Sequence, residues 1–295
     1  MHTGTYLTRW LDAFVLPIRA PSTVACYRRA ISSLPSFVLD AELDLLLQEV
    51  INAKARMHPR AAQLIFAMLH AALAKAVRLH YLPASPLDAC EKPRHLPAKA
   101  AVLTAPQLSA YLMAARNTRA WPLLLLMATC GLRRGEALGL QWSDIDANSG
   151  LLHVRRQRLR IDGSYLARPL KSAASLRDLP LPAPVLSELA AFHSGQGVRA
   201  LAGWIVDLSP EGLARAHASV LTAAGLPHVT LHGLRHSMAT VAVDAGCPVR
   251  VLQSILGHSR YTLTADLYAA HLGAAQFAPH MANVCSYILG YTGCV

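Results

Sequence analysis

Through the first part of the chain, apolar residues recur at helical rather than strand spacing. Tyr6, Trp10, Leu11 and Phe14 put one apolar face on a helix within 5–15. Pro21-Ser22-Thr23 supplies a helix start, and the helix that follows carries Arg28 and Arg29. The clearest helical stretch is 59–81, long, rich in Ala and Leu, and bearing Lys75 and Arg78. No period-two alternation interrupts this region, so residues 1–83 are expected to form a small all-helical domain. Pro83, Pro86, Pro93 and Pro97 then fall within a polar stretch that cannot continue a helix, and 84–102 reads as an interdomain linker. It ends where Thr104 offers an N-cap and Pro106 sits in a first helical turn.

The pattern from 103 to 295 is mixed. Helices are expected at 105–115 and 120–129, with a third beginning near Arg134. Strand-like segments follow at 151–160 and 164–170, separated by Asp162-Gly163, a strong hairpin signal, and a third strand is expected at 176–181. After Pro182 the spacing is helical to the end. The apolar run from Pro122 to Cys130 is too short to span a bilayer and reads as a buried helix. The fold class that follows is mainly α with a small antiparallel β-sheet (α+β), in two domains, 1–83 and 103–295.

Composition changes this picture in one respect. The net charge is +11, and a polyanion is the natural partner of such a surface, because phosphates neutralised by Lys or Arg release condensed counterions. The excess is shared: residues 1–98 carry 11 Lys/Arg against 7 Asp/Glu, and the remainder 17 against 10. With 53% hydrophobic and 15% charged residues, the chain is not a mainly disordered tail. The cysteines (Cys26, Cys90, Cys130, Cys247, Cys285, Cys294) form no C-x-x-C pair, which disfavours a zinc knuckle or a disulfide framework and suits a reducing cytoplasm. No signal-peptide pattern opens the sequence, so a cytoplasmic protein without a membrane partner is expected.

Four segments of the second domain hold candidate chemistry. In Thr129-Cys130-Gly131-Leu132-Arg133-Arg134-Gly135-Glu136, a Gly ends an apolar helix and Arg133 opens the next. Such an Arg can present its fork of donors to a phosphate, or it can simply pair with Glu136 and pin two helices. In Leu231-His232-Gly233-Leu234-Arg235-His236, His232 and Arg235 share a helix face and can converge on one oxyanion, although a structural His beside a surface Arg fits this segment better when it is taken alone. His232 and His236 at i, i+4 would suit zinc only with Glu after the first His, and that position is Gly233. The third segment places His258 ten residues before Tyr268. A tyrosine is a poor nucleophile at neutral pH, with an ordinary pKa of about 10, unless a dense positive site stabilises its phenolate; Tyr261 competes for the role. The fourth holds Lys171 in the turn after the second strand, either a solvated charge or a donor for a leaving oxygen.

In combination the order Arg, Lys, His-x-x-Arg, Gly-His, Tyr resembles the tyrosine recombinases of the phage integrase family. "TCGLRRGEALGLQWSDID", "LKSAASLRDLPLP", "LHGLRHSMAT" and "LGHSRYTLTADLY" are similar to that family's boxes over about 100–270, and "LTRWLDAF" and "APSTVACYRRAI" less closely to its core-binding part. The resemblance implies a helical core-binding (SAM-like) domain and a mixed catalytic domain forming a C-shaped clamp on double-stranded DNA; as a departure from some phage integrases, no additional arm-binding domain is expected. It assigns Arg133, Lys171, His232, Arg235, His258 and the nucleophile Tyr268, with Glu136 in support. It further implies site-specific DNA cleavage and rejoining through a 3′-phosphotyrosyl intermediate. No metal, cofactor or ATP is expected, and the partners are recombination sites and a homotetramer in the synaptic complex, with a monomer when free. A C-terminal segment with Val284, Tyr287, Ile288 and Leu289 is expected either to swap between protomers or to pack in cis. The rival readings are a DNA-binding regulator without catalysis, a type IB topoisomerase, and a basic helical adaptor for RNA or protein.

Overall fold

A computed structural model describes residues 2–40, 47–94, 101–161, 164–170, 175–195, 203–257 and 274–289. The chain divides into two compact units, Met1–Ala98 and Lys99–Val295.

The first unit is helical: α1 (Thr3–Trp10), α2 (Pro21–Ser32), α3 (Ser36–Asp40), α4 (Leu47–Met57) and α5 (Pro59–Arg78). Its core gathers Tyr6, Leu7, Trp10 and Leu11 against Ile65, Leu69, Ala72 and Leu73 of α5. The Tyr6 hydroxyl donates to the Ala72 carbonyl at 2.7 Å, which satisfies the polar atom that this side chain buries. Phe14, expected on the apolar face, lies outside the core and stacks under the Lys75 ammonium, while Val15 is buried instead. The cause is a π-turn over Leu11–Val15, in which the Leu16 amide bonds to the Leu11 carbonyl and the face shifts by one residue. Helix α5 is long and apolar enough to cross a membrane, yet its apolar stripe forms the core of this unit. Within the proline-dense stretch, Pro86–Ala89 form a 3-10 turn whose Leu87 is buried in the same core.

The second unit is built around α7 (Trp121–Cys130), all of whose residues are buried. Helix α6 (Ala105–Ala115) precedes it, N-capped at Thr104, where the Gln107 side chain accepts from the Thr104 amide at 2.9 Å. Helix α8 (Arg134–Leu138) follows. The strands are β1 (Ile145–Asp146), β2 (Leu151–Val154), β3 (Arg156–Ile161), β4 (Ser164–Pro169) and β5 (Arg177–Pro180). They make two antiparallel sheets, β1-β2-β5 and the hairpin β3-β4, rather than one. The expected strand 151–160 therefore breaks at Arg155, because β2 pairs with β5 while β3 pairs with β4. Ile161 and Ser164 pair across the hairpin, on either side of Asp162-Gly163.

Beyond Pro182 lie α9 (Ala183–Gly195), α10 (Pro210–Ala223), α11 (Leu231–Asp244), α12 (Val249–Leu256) and α13 (Ala274–Leu289). The region is not wholly helical: Trp204 bridges to Gln141, and the Ile205 amide bonds the Leu140 carbonyl. Helix α13 packs in cis. Met281, Val284, Cys285 and Ile288, at helical spacing, are buried in the core of their own unit, and Tyr287 is exposed.

Between α6 and α10 sits a buried polar relay. The His217 ring lies between the Tyr111 hydroxyl, 2.7 Å from Nδ1, and the Val229 carbonyl, 2.8 Å from Nε2. A neutral ring that donates from Nε2 and accepts at Nδ1 satisfies both. Burial is the largest influence on His217, and with His228 nearby it holds the imidazole below its ordinary 6.5 despite the Val229 bond. A depressed folded-state value means that this stabilisation is complete above the unfolded value and is lost as pH falls through the folded one. The unfolding midpoint is thus expected to drop on acidification below about pH 6.5, the ordinary histidine value. In His217→Asn that part of the acid slope should be missing; equal slopes for the two proteins would disprove the assignment.

Candidate active site

Helix α7 ends at Gly131, whose left-handed φ of 63° reverses the chain. The position favours glycine, because this φ strains an L side chain and a Cβ there would stand 2.6 Å from Leu256 Cδ2, which would have to shift. Two residues on, Arg133 is the N-cap of α8. Glu136 folds back to it, accepting from the Arg133 amide at 2.9 Å and from Arg133 Nη1 at 2.7 Å. The Arg–Glu pair allowed by the sequence therefore forms, but it does not exhaust the arginine. Arg133 Nη2 donates to the Gly257 carbonyl at 2.8 Å, and the side chain remains 37% exposed.

That carbonyl belongs to the end of α12, where a helix leaves its last C=O groups without intrahelical partners. Three successive carbonyls there are taken by three arginines. Arg177 Nε donates to Ile255 O at 2.6 Å, Arg235 Nη2 to Leu256 O at 2.6 Å, and Arg133 Nη2 to Gly257 O. The negative end of the helix dipole and the guanidinium charges reinforce each other. Arg235 also donates from Nη1 to Gly131 O at 2.6 Å, which ties the end of α7 to the end of α12. At 3% exposure Arg235 is not the surface residue that the bland reading supposed. Its helix, α11, starts at Thr230, whose hydroxyl accepts from the Gly233 amide at 2.9 Å.

The electrostatics follow from this geometry. Burial and then the Arg133 charge push the Arg235 guanidinium down to about 9, so it stays protonated at neutral pH. Burial alone would raise the Glu136 carboxyl, but the Arg177 charge and hydrogen bonds from Arg177 and Arg133 outweigh it, and the net shift is downward. His232 is exposed on α11. Partial desolvation, then Arg235, His236 and Arg133, hold it below the ordinary imidazole value, so it is neutral and able to accept a proton at pH 7. Three guanidiniums balanced by one carboxylate leave the end of α12 with a net positive charge suited to a phosphate. Among the described residues, no cluster of His, Cys, Asp and Glu gathers that could hold a metal ion.

The hairpin leading to Lys171 is fastened by alternate arginines of β3. Arg156 pairs with Asp144 at 2.5 Å, Arg158 with Asp207 at 2.5 Å, and Arg160 with Glu211 at 3.3 Å, while the Tyr165 hydroxyl donates to Glu211 at 2.7 Å. On its other side, α8 rests on the β3 backbone through glycine. A Cβ at Gly139 would stand 3.0 Å from Gln157 Cα and 3.1 Å from Arg156 O.

Of the expected site residues, the structure brings Arg133, Glu136 and Arg235 into one bonded network and sets His232 on the same helix as Arg235. Lys171, His258 and Tyr268, with the competitor Tyr261, lie outside the described residues. Sequence reasoning passed over Arg177, whose Nη2 donates to Glu136 at 2.9 Å in a buried pair. The signal was present: Arg177 is in phase with Leu179 on the inward face of β5, and a charge at a core position demands a partner.

A model described as "Phage integrase family" matches residues 205–274. A protein from Ralstonia nicotianae named Tyrosine recombinase XerC 2 is 32% identical over 232 residues, covering 72% of this chain and 62% of that protein. A "Tyrosine recombinase XerC-like" protein of Caldanaerobacter subterraneus is 28% identical over 181 residues, covering 52% of this chain and 46% of its own length. The chain thus spans about half to three fifths of these relatives. A solved structure of the Tn1549 transposon integrase in complex with circular intermediate DNA superposes with a TM-score of 0.75 at 17% identity, over 95% of this chain and 99% of that one. At that identity the likeness speaks for the fold.

Proposed function

The chain belongs to the phage integrase family of tyrosine recombinases, and on that premise we propose that it is a site-specific recombinase that cleaves and rejoins double-stranded DNA. The observation that carries the proposal is the convergence of Arg133 and Arg235 on the end of α12, directly before His258.

In the proposed reaction, the Tyr268 oxygen attacks the scissile phosphorus. The bond to the 5′-oxygen breaks, leaving a 3′-phosphotyrosyl link and a free 5′-hydroxyl. Arg133 and Arg235 hold the non-bridging oxygens with donors left over from the carbonyls they already bind, and Glu136 keeps Arg133 in place. Preorganised donors of this kind are worth about 10²–10³ in rate each. His232, neutral at pH 7, takes the tyrosine proton or bonds the phosphate. His258 donates to a phosphate oxygen, and Lys171 supplies the proton for the departing 5′-oxygen. The covalent link conserves the energy of the broken bond, so a second 5′-hydroxyl reverses the step without ATP or another cofactor. Both basic units contact the duplex, and two sites bound by four copies of the chain form the exchanging assembly.

The test is covalent capture. Nicked duplexes that release a short 5′-hydroxyl strand on cleavage are incubated with the protein, and the trapped peptide is mapped by mass. A phosphotyrosyl link on the peptide containing Tyr268 is expected. A link on Tyr261 would reassign the nucleophile, and no adduct from any duplex in a randomised-core pool would remove the recombinase reading.

A further inference from the structure

The first strand of the second unit to be reached after Lys171 is β5, and it begins at Arg177. This side chain makes three bonds to three different parts of the unit. Nη2 pairs with Glu136 of α8, Nε holds Ile255 O at the end of α12, and Nη1 donates to Ser175 O at 3.0 Å on its own approach to the strand. Arg177 is therefore where the element carrying Arg133, the end of α12 and the approach to β5 are joined. Each of its three guanidinium nitrogens is already bonded to an acceptor of its own unit.

We propose that Arg177 is a positioning residue for strand cleavage: it aligns Glu136, and through it Arg133, with the end of α12. The proposal rests on the recombinase reading above. Its logic is that Glu136 has two guanidiniums to satisfy. Oε1 takes Arg133 Nη1, while Oε2 takes both the Arg133 amide and Arg177 Nη2. Without Arg177 the carboxylate keeps one cationic partner and a free lone pair, and is able to turn about it. The Ile255 carbonyl loses its cap at the same time, so both anchors of Arg133 loosen together. A pure fold residue would change stability and leave the chemistry of the folded fraction intact. A positioning residue slows the chemical step while DNA is still bound.

The experiment uses the full chain and one nicked duplex, chosen by sequencing the members of the randomised-core pool that the wild type captures covalently. Single-turnover adduct formation is followed at saturating protein, with the half-saturating concentration and the thermal midpoint measured alongside. Misplacement of a reacting group by about 1 Å costs about 100-fold, and Arg177→Met is expected to lose that much in rate with the half-saturating concentration nearly unchanged. Arg177→Lys keeps the charge beside Glu136 but cannot span all three acceptors, and should recover about tenfold of the loss. In a Glu136→Gln background, Arg177→Met should add little further loss, because the two act through one contact. The proposal is overturned if Arg177→Lys reacts at the wild-type rate, if its rate falls only in step with DNA affinity or with the folded fraction, or if the Arg177 and Glu136 effects multiply independently. A wild type that yields no adduct with any duplex defeats the recombinase reading instead, and a reactive wild type with an equally reactive lysine variant defeats the Arg177 role alone.

Discussion

Tyr268→Phe is expected to abolish the covalent DNA adduct while leaving non-covalent binding to the same duplex within about twofold. The chemistry allows no partial result. Phenylalanine lacks the attacking oxygen, and water cannot form a protein–DNA bond in its place. Affinity should be preserved because it comes from the many phosphate contacts of a chain with net charge +11, to which one neutral phenol adds little. The adduct is read as a denaturation-resistant band and the binding as a mobility shift on the same samples. Residual adduct in the Phe variant would move the nucleophile to Tyr261, and loss of the mobility shift as well would place Tyr268 in the DNA-binding surface instead.

Glu136→Ala is expected to be among the most destabilising substitutions in the second unit. Glu136 is 2% exposed and is the carboxylate shared by Arg133 and Arg177. Removing it strands the buried Arg177 cation beside Arg235 without a counter-charge, and breaking a buried pair from one side costs about 3–5 kcal/mol. For a unit of this size that corresponds to a fall of about 10 °C in the thermal midpoint. Glu136→Gln keeps an acceptor oxygen and should lose less. The carboxylate is bound in its ionised form, so its stabilisation is present at neutral pH and is lost as pH falls through its depressed folded-state value. Acid should therefore narrow the difference between wild type and Glu136→Ala. A difference under about 1 kcal/mol at pH 7, the size expected of an exposed pair, would show that the guanidiniums are balanced by something other than Glu136.

Much of the local structure was legible beforehand because its causes are local. The caps, Gly131, the apolar run of α7 and the hairpin flanking Asp162-Gly163 each depend on residues within a few positions of one another. Where the reading slipped, a distant partner or a local irregularity of the helix intervened. The strand expected over 151–160 divides because two different partners pair with its halves. Phe14 and Val15 exchange places through a π-turn that residue spacing does not announce. The Gln141–Trp204 bridge joins segments far apart along the chain.

The proposed catalytic set divides in the same way. The order and spacing of Arg133, Lys171, His232, Arg235, His258 and Tyr268 are properties of the sequence, and they sufficed to point to the family and to the chemistry proposed for it. They could not show how the arginines are held, because the contacts that hold them are remote. Arg133 meets Gly257 across 124 residues, Arg235 meets Gly131 across 104, and Arg177 meets Ile255 across 78. An arginine reads the same in sequence whether it is solvated or buried. Only folding, which brings the unsatisfied carbonyls at the end of α12 against β5, α8 and α11, decides that Arg177 is internal and that Glu136 serves two cations.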